Sequence, residues 1–175
     1  WIPPSGLSPE EDSWFPGEGC SFLLACPEDE GVTMVGYGRS FACDEDASGW
    51  YPAIHQALAM SGLDASSIGW IFPACPWNTR QRQAQQEALS QIFACPQEHL
   101  PLANSAAQVG FLGAAHPLFD AGLAIYGLSH GQCLRWSDSL TAHKTEPLSS
   151  PAALILAMGP YGQRLAVILQ AGGQA

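Results

Sequence analysis

The sequence predicts a layered α/β domain with a mixed sheet packed by helices, and three observations carry that prediction. Short apolar runs of strand length alternate with stretches whose apolar residues recur at helical spacing. Two final apolar runs, 152–158 and 165–170, are joined by Gly159-Pro-Tyr-Gly162, which reads as a hairpin-like turn and so closes the sheet with an antiparallel pair. Between them and the earlier elements, residues 108–128 are almost wholly apolar or small, as a helix in the middle of a large α/β core must be.

Each element has its own signal. Gly17-Glu-Gly19 is a tight turn feeding a strand over 21–25, and a second strand over 32–37 ends in Gly36-Tyr-Gly38, which permits a bend or bulge. Residues 44–50 form a polar loop. A helix follows over 51–60: Pro52 suits its first turn, Tyr51, Ile54, Ala57 and Leu58 share a face, and Gly62 stops it. Residues 69–73 make a short buried strand. Asn78 and Thr79 can cap the next helix, whose face is Ala84, Ala88, Leu89, Ile92 and Phe93. A strand over 100–103 precedes the long apolar helix, and 136–150 is a polar connection.

Composition excludes several functions. Six Lys plus Arg stand against sixteen Asp plus Glu, a net charge of −10, with the acid concentrated early, from Glu10 to Asp46. Such a surface repels phosphate backbones and anionic lipid, so neither nucleic acid nor a membrane is an expected partner. The apolar stretch 106–128 is long enough to span a bilayer. Gln108, His116, Pro117 and Asp120 interrupt it, and an Asp near a span's centre costs about 2.5–3.5 kcal/mol, so the soluble reading wins. The six cysteines match no zinc or redox spacing and are expected as free thiols of a cytoplasmic protein, with no metal or cofactor.

The order of elements and five short segments resemble the C-terminal half of β-ketoacyl-acyl-carrier-protein synthases, ketosynthases of the thiolase-like superfamily. Gly17-Glu-Gly19 resembles the family's GEG entry, and Val35-Gly-Tyr-Gly38 its VxGYG bend. Ala57-Leu-Ala-Met-Ser-Gly-Leu63 with Ile68-Gly-Trp-Ile71, then Gly113-Ala-Ala115, then Gly159-Pro-Tyr-Gly162 follow in family order. The resemblance implies a thiolase-like fold, with residues 1–19 an entry loop from an N-terminal half and 20–175 the C-terminal ketosynthase-like domain.

In that family a cysteine at a helix N-terminus, in the N-terminal half, takes the acyl chain and two histidines assist decarboxylation and stabilise the enolate. The resemblance places the first histidine on Ala74 and the second on Gly110, the preceding lysine on Ser105, the helical glutamate on Gln85 and a nearby aspartate on Arg82. No family catalytic residue is retained here. The losses are coordinated, because a buried lysine without its glutamate would be an unpaired charge. No slip in the alignment brings a histidine to the site, with His116 expected six residues too late and inside its helix.

Cys75 is the rival nucleophile. It follows a buried strand and shortly precedes a helix N-terminus, whose dipole lowers a thiol's pKa; against this, an inert small residue buried in a strand-to-helix turn is the reading preferred. A base would come from His55, His99, His116, His130 or His143, and the sequence places none beside it. His116 and Asp120, at i and i+4, read as a hydrogen-bonded structural pair in the core or at a subunit contact. Glu10, Glu11 and Asp12 read as a solvated face, the tryptophans as core or interface anchors, and Gly17-Glu-Gly19 lacks phosphate-loop spacing.

Two functions follow from the resemblance. The first is a non-catalytic, chain-length-factor-like scaffold of fatty-acid or polyketide biosynthesis, covered by an N-terminal half, paired with a partner ketosynthase, or dimeric. The second is a fragment of a divergent acyltransferase or condensing enzyme using Cys75. Acyl carrier proteins are acidic, and this chain offers them at most Arg80 with Arg82.

Overall fold

The computed structural model describes residues 31–42, 47–74, 79–96, 101–103, 105–136, 143–159 and 161–172, together with Leu23. The Gly17-Glu-Gly19 turn, most of the expected strand 21–25, the early acidic residues and Cys75 lie outside the described residues.

The elements run β1 (Val32–Phe41), α1 (Trp50–Ser61), β2 (Trp70–Phe72), α2 (Thr79–Ile92), α3 (Ala106–Val109), α4 (His116–His130), β3 (Gln132–Trp136), β4 (His143–Pro147), β5 (Ala152–Met158) and β6 (Gln163–Ala171). Four strands form one sheet in the order β1-β6-β5-β2. β1 and β5 flank β6 antiparallel, while β2 lies parallel to β5, so the sheet is mixed as the sequence predicts. The turn at Gly159–Gly162 does join an antiparallel pair, with Gly162 at φ 86 and the Gly159 N–H donating to the Gln163 carbonyl at 2.9 Å.

Strand alternation sorts the core into two layers. Ala152, Leu154 and Leu156 of β5, with Ala166 and Ile168 of β6, face α1 and its Trp50, Ala53, Ile54, Ala57 and Leu58. Ala153, Ile155 and Leu169 face the other way, onto Ala124 and Leu128 of α4, with Trp70, Phe72 and Cys133. Trp50 and Trp70 are thus core anchors. Cys95 and Cys133 are free thiols, as expected.

The glycine pair in β1 has a sharper purpose than a bend. A Cβ on Gly36 would lie 2.3 Å from the Ala57 carbonyl oxygen, and one on Gly38 only 1.9 Å from that of Ala53. Helix α1 therefore rests directly on the strand backbone; the register shifts just ahead of the pair, between Met34 and Gly36, and the strand runs on past its expected end to Phe41.

Three expectations are corrected. The apolar stretch is not one helix over 108–128: α3 ends at Gly110 (φ 75), Gly113 (φ 61) turns the chain again, and α4 starts at His116. Side-chain hydropathy gave no warning, because the break is made by glycine backbone angles. The connection 136–150 contains β4, paired in register with β3 from Gln132↔Pro147 to Trp136↔His143. The expected strand at 100–103 reduces to a single parallel bridge, Leu102 to Ile71, with Leu100 outside the described residues. Among the described residues no helix is long and apolar enough to cross a membrane.

Candidate functional site

Because the chain turns at Gly110 and Gly113, the first turn of α4 meets the residue that starts α3. Ser105, His116 and Asp120 come together there as a buried polar cluster. The Ser105 hydroxyl donates to Asp120 Oδ1 at 2.5 Å and lies 3.0 Å from His116 Nε2. The Leu112 N–H donates to His116 Nδ1 at 3.4 Å. That bond assigns the imidazole proton to Nε2, which then donates to the Ser105 oxygen. Phe111 and Phe119 flank the ring, with centroids 5.5 and 6.2 Å away.

Burial sets the charges. Desolvation pushes the His116 imidazole below its ordinary value, and the positive end of α4 adds a further penalty on an imidazolium there. Desolvation likewise raises the Asp120 carboxyl to about 7, the Ser105 hydrogen bond pulling only partly the other way. His116 Nε2 and Asp120 Oδ2 stand 3.7 Å apart, too far for a hydrogen bond. The hydroxyl proton of Ser105 points to the acid and not to the imidazole. This is the reverse of a nucleophilic triad, in which the hydroxyl must give its proton to the histidine.

The cluster borders a cavity of about 520 Å³ whose wall includes Ala74, Phe111, His116, Asp120, Met158 and Leu165. Here the structure departs from the sequence: a histidine does reach the cavity that Ala74 lines, because α4 begins at His116 instead of enclosing it. Both ring nitrogens are engaged within the chain, by Leu112 and Ser105.

Beside Ala74, Gln85 replaces the acid of the resemblance with an amide. In the orientation that satisfies both polar atoms, it donates to the Ala74 carbonyl and accepts from the Ala74 N–H, each at 3.2 Å. Gln85 is 1% exposed, and its helix face is set by Ala84, Ala88 and Leu89 beside it. Gly110 ends α3 with its N–H on the Ala106 carbonyl.

The remaining candidates are scattered. His55 is exposed on α1, as predicted, and stacks near Tyr51. His130 is exposed at the end of α4, its Nδ1 2.7 Å from the Tyr126 carbonyl oxygen. His143 belongs to β4, while Cys75 and His99 lie outside the described residues. A larger cavity, of about 1150 Å³, opens at the opposite end among Gly31, Gly131, Pro151 and Gly172, and His130 is its one titratable neighbour among the described residues. The sequence singled out His116 with Asp120 but missed Ser105 as their hub. Its signal was the small hydroxyl at a position where the resemblance expects lysine.

No protein-family model matches the chain, and no curated protein matches it in sequence. Solved structures do match. A β-ketoacyl synthase from Burkholderia phymatum is 18% identical with a TM-score of 0.65, over 80% of this chain and 37% of its own. A ketosynthase in complex with its chain length factor from Xenorhabdus doucetiae is 22% identical with a TM-score of 0.65, over 82% and 40%. The ishigamide ketosynthase/chain length factor is 15% identical with a TM-score of 0.67, over 80% and 38%. The fold is thus the thiolase-like fold of ketosynthases, and the chain spans less than half the length of these structures.

Proposed function

We infer that this chain is the C-terminal, ketosynthase-like domain (residues 20–175) of a non-catalytic scaffold in fatty-acid or polyketide assembly, with 1–19 leading in from an N-terminal half. One observation carries the reading. At the positions that the resemblance assigns to two histidines stand Ala74 and Gly110, and the amide of Gln85 beside Ala74 is neutral and satisfied within the chain. Gln85 spends both amide atoms on Ala74, and Ser105 spends its proton on Asp120. Neither Ala74 nor Gly110 carries a side-chain donor that could stabilise an enolate.

The fold also leaves a surface for a companion. Met34 (59% exposed), Tyr37, Phe41 (64% exposed) and Leu165 stand bare on the sheet, and Leu118 and Tyr126 on α4. The large apolar side chains left exposed on the α4 side of the sheet favour cover by an N-terminal half, a partner ketosynthase or a second copy. The solved neighbours include ketosynthases bound to chain length factors, and pairing of that kind is the reading favoured here.

The test is exposure of the purified protein to an acyl-thioester mimic, with labelled residues mapped by mass spectrometry, alongside co-purification with an active ketosynthase. The scaffold reading expects no labelled thiol and stable co-elution. A stoichiometric label on Cys75 would support the divergent acyltransferase instead.

A further inference from the structure

The Ser105–His116–Asp120 cluster borders a cavity that the scaffold reading leaves unused. We propose that this cavity binds a small uncharged molecule with an apolar body and a carbonyl head, and that the Asp120 carboxyl recognises the head by donating a hydrogen bond from Oδ2.

Size and lining agree with a ligand of that class. About 520 Å³ lies within the roughly 300–1,000 Å³ typical of small-molecule sites. Phe111, Pro117, Leu156, Met158 and Leu165 make most of the wall apolar. Of its buried polar side chains, His116 has both nitrogens engaged, while Gln163 is exposed and its carboxamide oxygen accepts from the Tyr161 N–H at 3.1 Å. Asp120 is the exception. It is 1% exposed, its Oδ1 is held by Ser105, and among the described residues Oδ2 has only the 3.7 Å approach of His116.

Charge selects the head. No lysine or arginine is in the described wall, so a carboxylate ligand would be buried without a counterion. Arg164 packs over Trp50 on the opposite face of the sheet, and from β5 and β6 only uncharged residues reach the cavity. The one titratable group facing Asp120 among the described residues is His116, kept neutral by burial. An ammonium ligand would need an ionised Asp120, which burial opposes. A carbonyl needs the protonated acid, the form present at and below about 7. The inference goes beyond the scaffold reading and does not depend on which partner the chain has.

The experiment is ligand-observed and amide NMR on the full chain with four probes sharing one alkyl tail: 2-octanone, octane, octanoate and octylamine. The ketone should bind tightest, shifting the amides of Leu112 and His116. Between about pH 6 and about pH 8.5 its affinity should fall roughly 30-fold as the proton-bearing fraction of Asp120 falls. Asp120→Asn keeps a donor and can still accept from Ser105, so it should bind the ketone without that pH dependence. Ketone binding no tighter than octane, tighter binding of octanoate or octylamine, or an unchanged pH profile in the variant would each overturn the proposal. The wild-type probe series decides the matter alone if the variant does not fold.

Discussion

The two faces of the sheet are finished to different degrees. On the α1 face, glycine at 36 and 38 lets the helix sit on bare strand backbone, and the layer beneath it is closed. On the α4 face, Trp70, Ile155 and Leu169 are covered, but Tyr37, Phe41 and Leu165 toward the β1 edge are not. The difference teaches where function sits. A closed face serves stability, while the half-covered face holds the cavity, the buried acid and the apolar surface that we propose a companion covers.

Four perturbations test that contrast, beginning with the closed face. Gly38→Val should destabilise most, by about 3 kcal/mol or more, because even a Cβ would overlap the Ala53 carbonyl. Urea unfolding measures it, and a loss below about 1 kcal/mol would mean that α1 is free to lift away. Gln85→Ala strips Ala74 of both amide partners and should cost about 2–3 kcal/mol in the same assay.

On the α4 face the signature is pH dependence. The Asp120 carboxyl releases its proton near 3.8 when unfolded and near 7 when folded, so across that window the folded state holds the extra proton. Its contribution to stability is therefore greatest at low pH and is lost as pH rises to about 7, an effect of about 4 kcal/mol at roughly 1.4 kcal/mol per pH unit. His116, lowered by burial, acts in the opposite sense below its ordinary value. Asp120→Asn should remove the first trend and leave the second, read from thermal unfolding at stepped pH. The smallest stability effect belongs to Phe41→Ser, within about 0.5 kcal/mol for the chain alone. Its consequence should appear in weakened co-elution with the companion.

Much of this was legible in the sequence because it rests on periodicity and turn chemistry. A continuous apolar run closed by a glycine turn gave β5 over 152–158 residue for residue, and helical spacing with Gly62 gave α1 within one residue at each end. Glycine at 36 and 38 marked an irregular strand, yet what the strand touches is a tertiary fact that a linear pattern does not carry. Strand β4 was missed because its polar run, His143-Lys-Thr-Glu-Pro147, lacks an alternating apolar face, and its pairing with β3 is what defines it. The cavity was missed for a related reason. A continuous helix would have hidden His116, whereas two left-handed glycines bring it to the wall.

Ser105 has a single proton, and it is directed at the Asp120 carboxyl, which burial keeps protonated up to about pH 7, while its oxygen is approached by an imidazole N–H. An attacking hydroxyl needs a base to receive that proton and a lone pair turned toward an electrophile. Both requirements are already denied by its neighbours. The trio has the composition of a hydrolase centre wired for holding a backbone turn in place, so serine, histidine and aspartate found together are no measure of reactivity until the direction of each hydrogen is known.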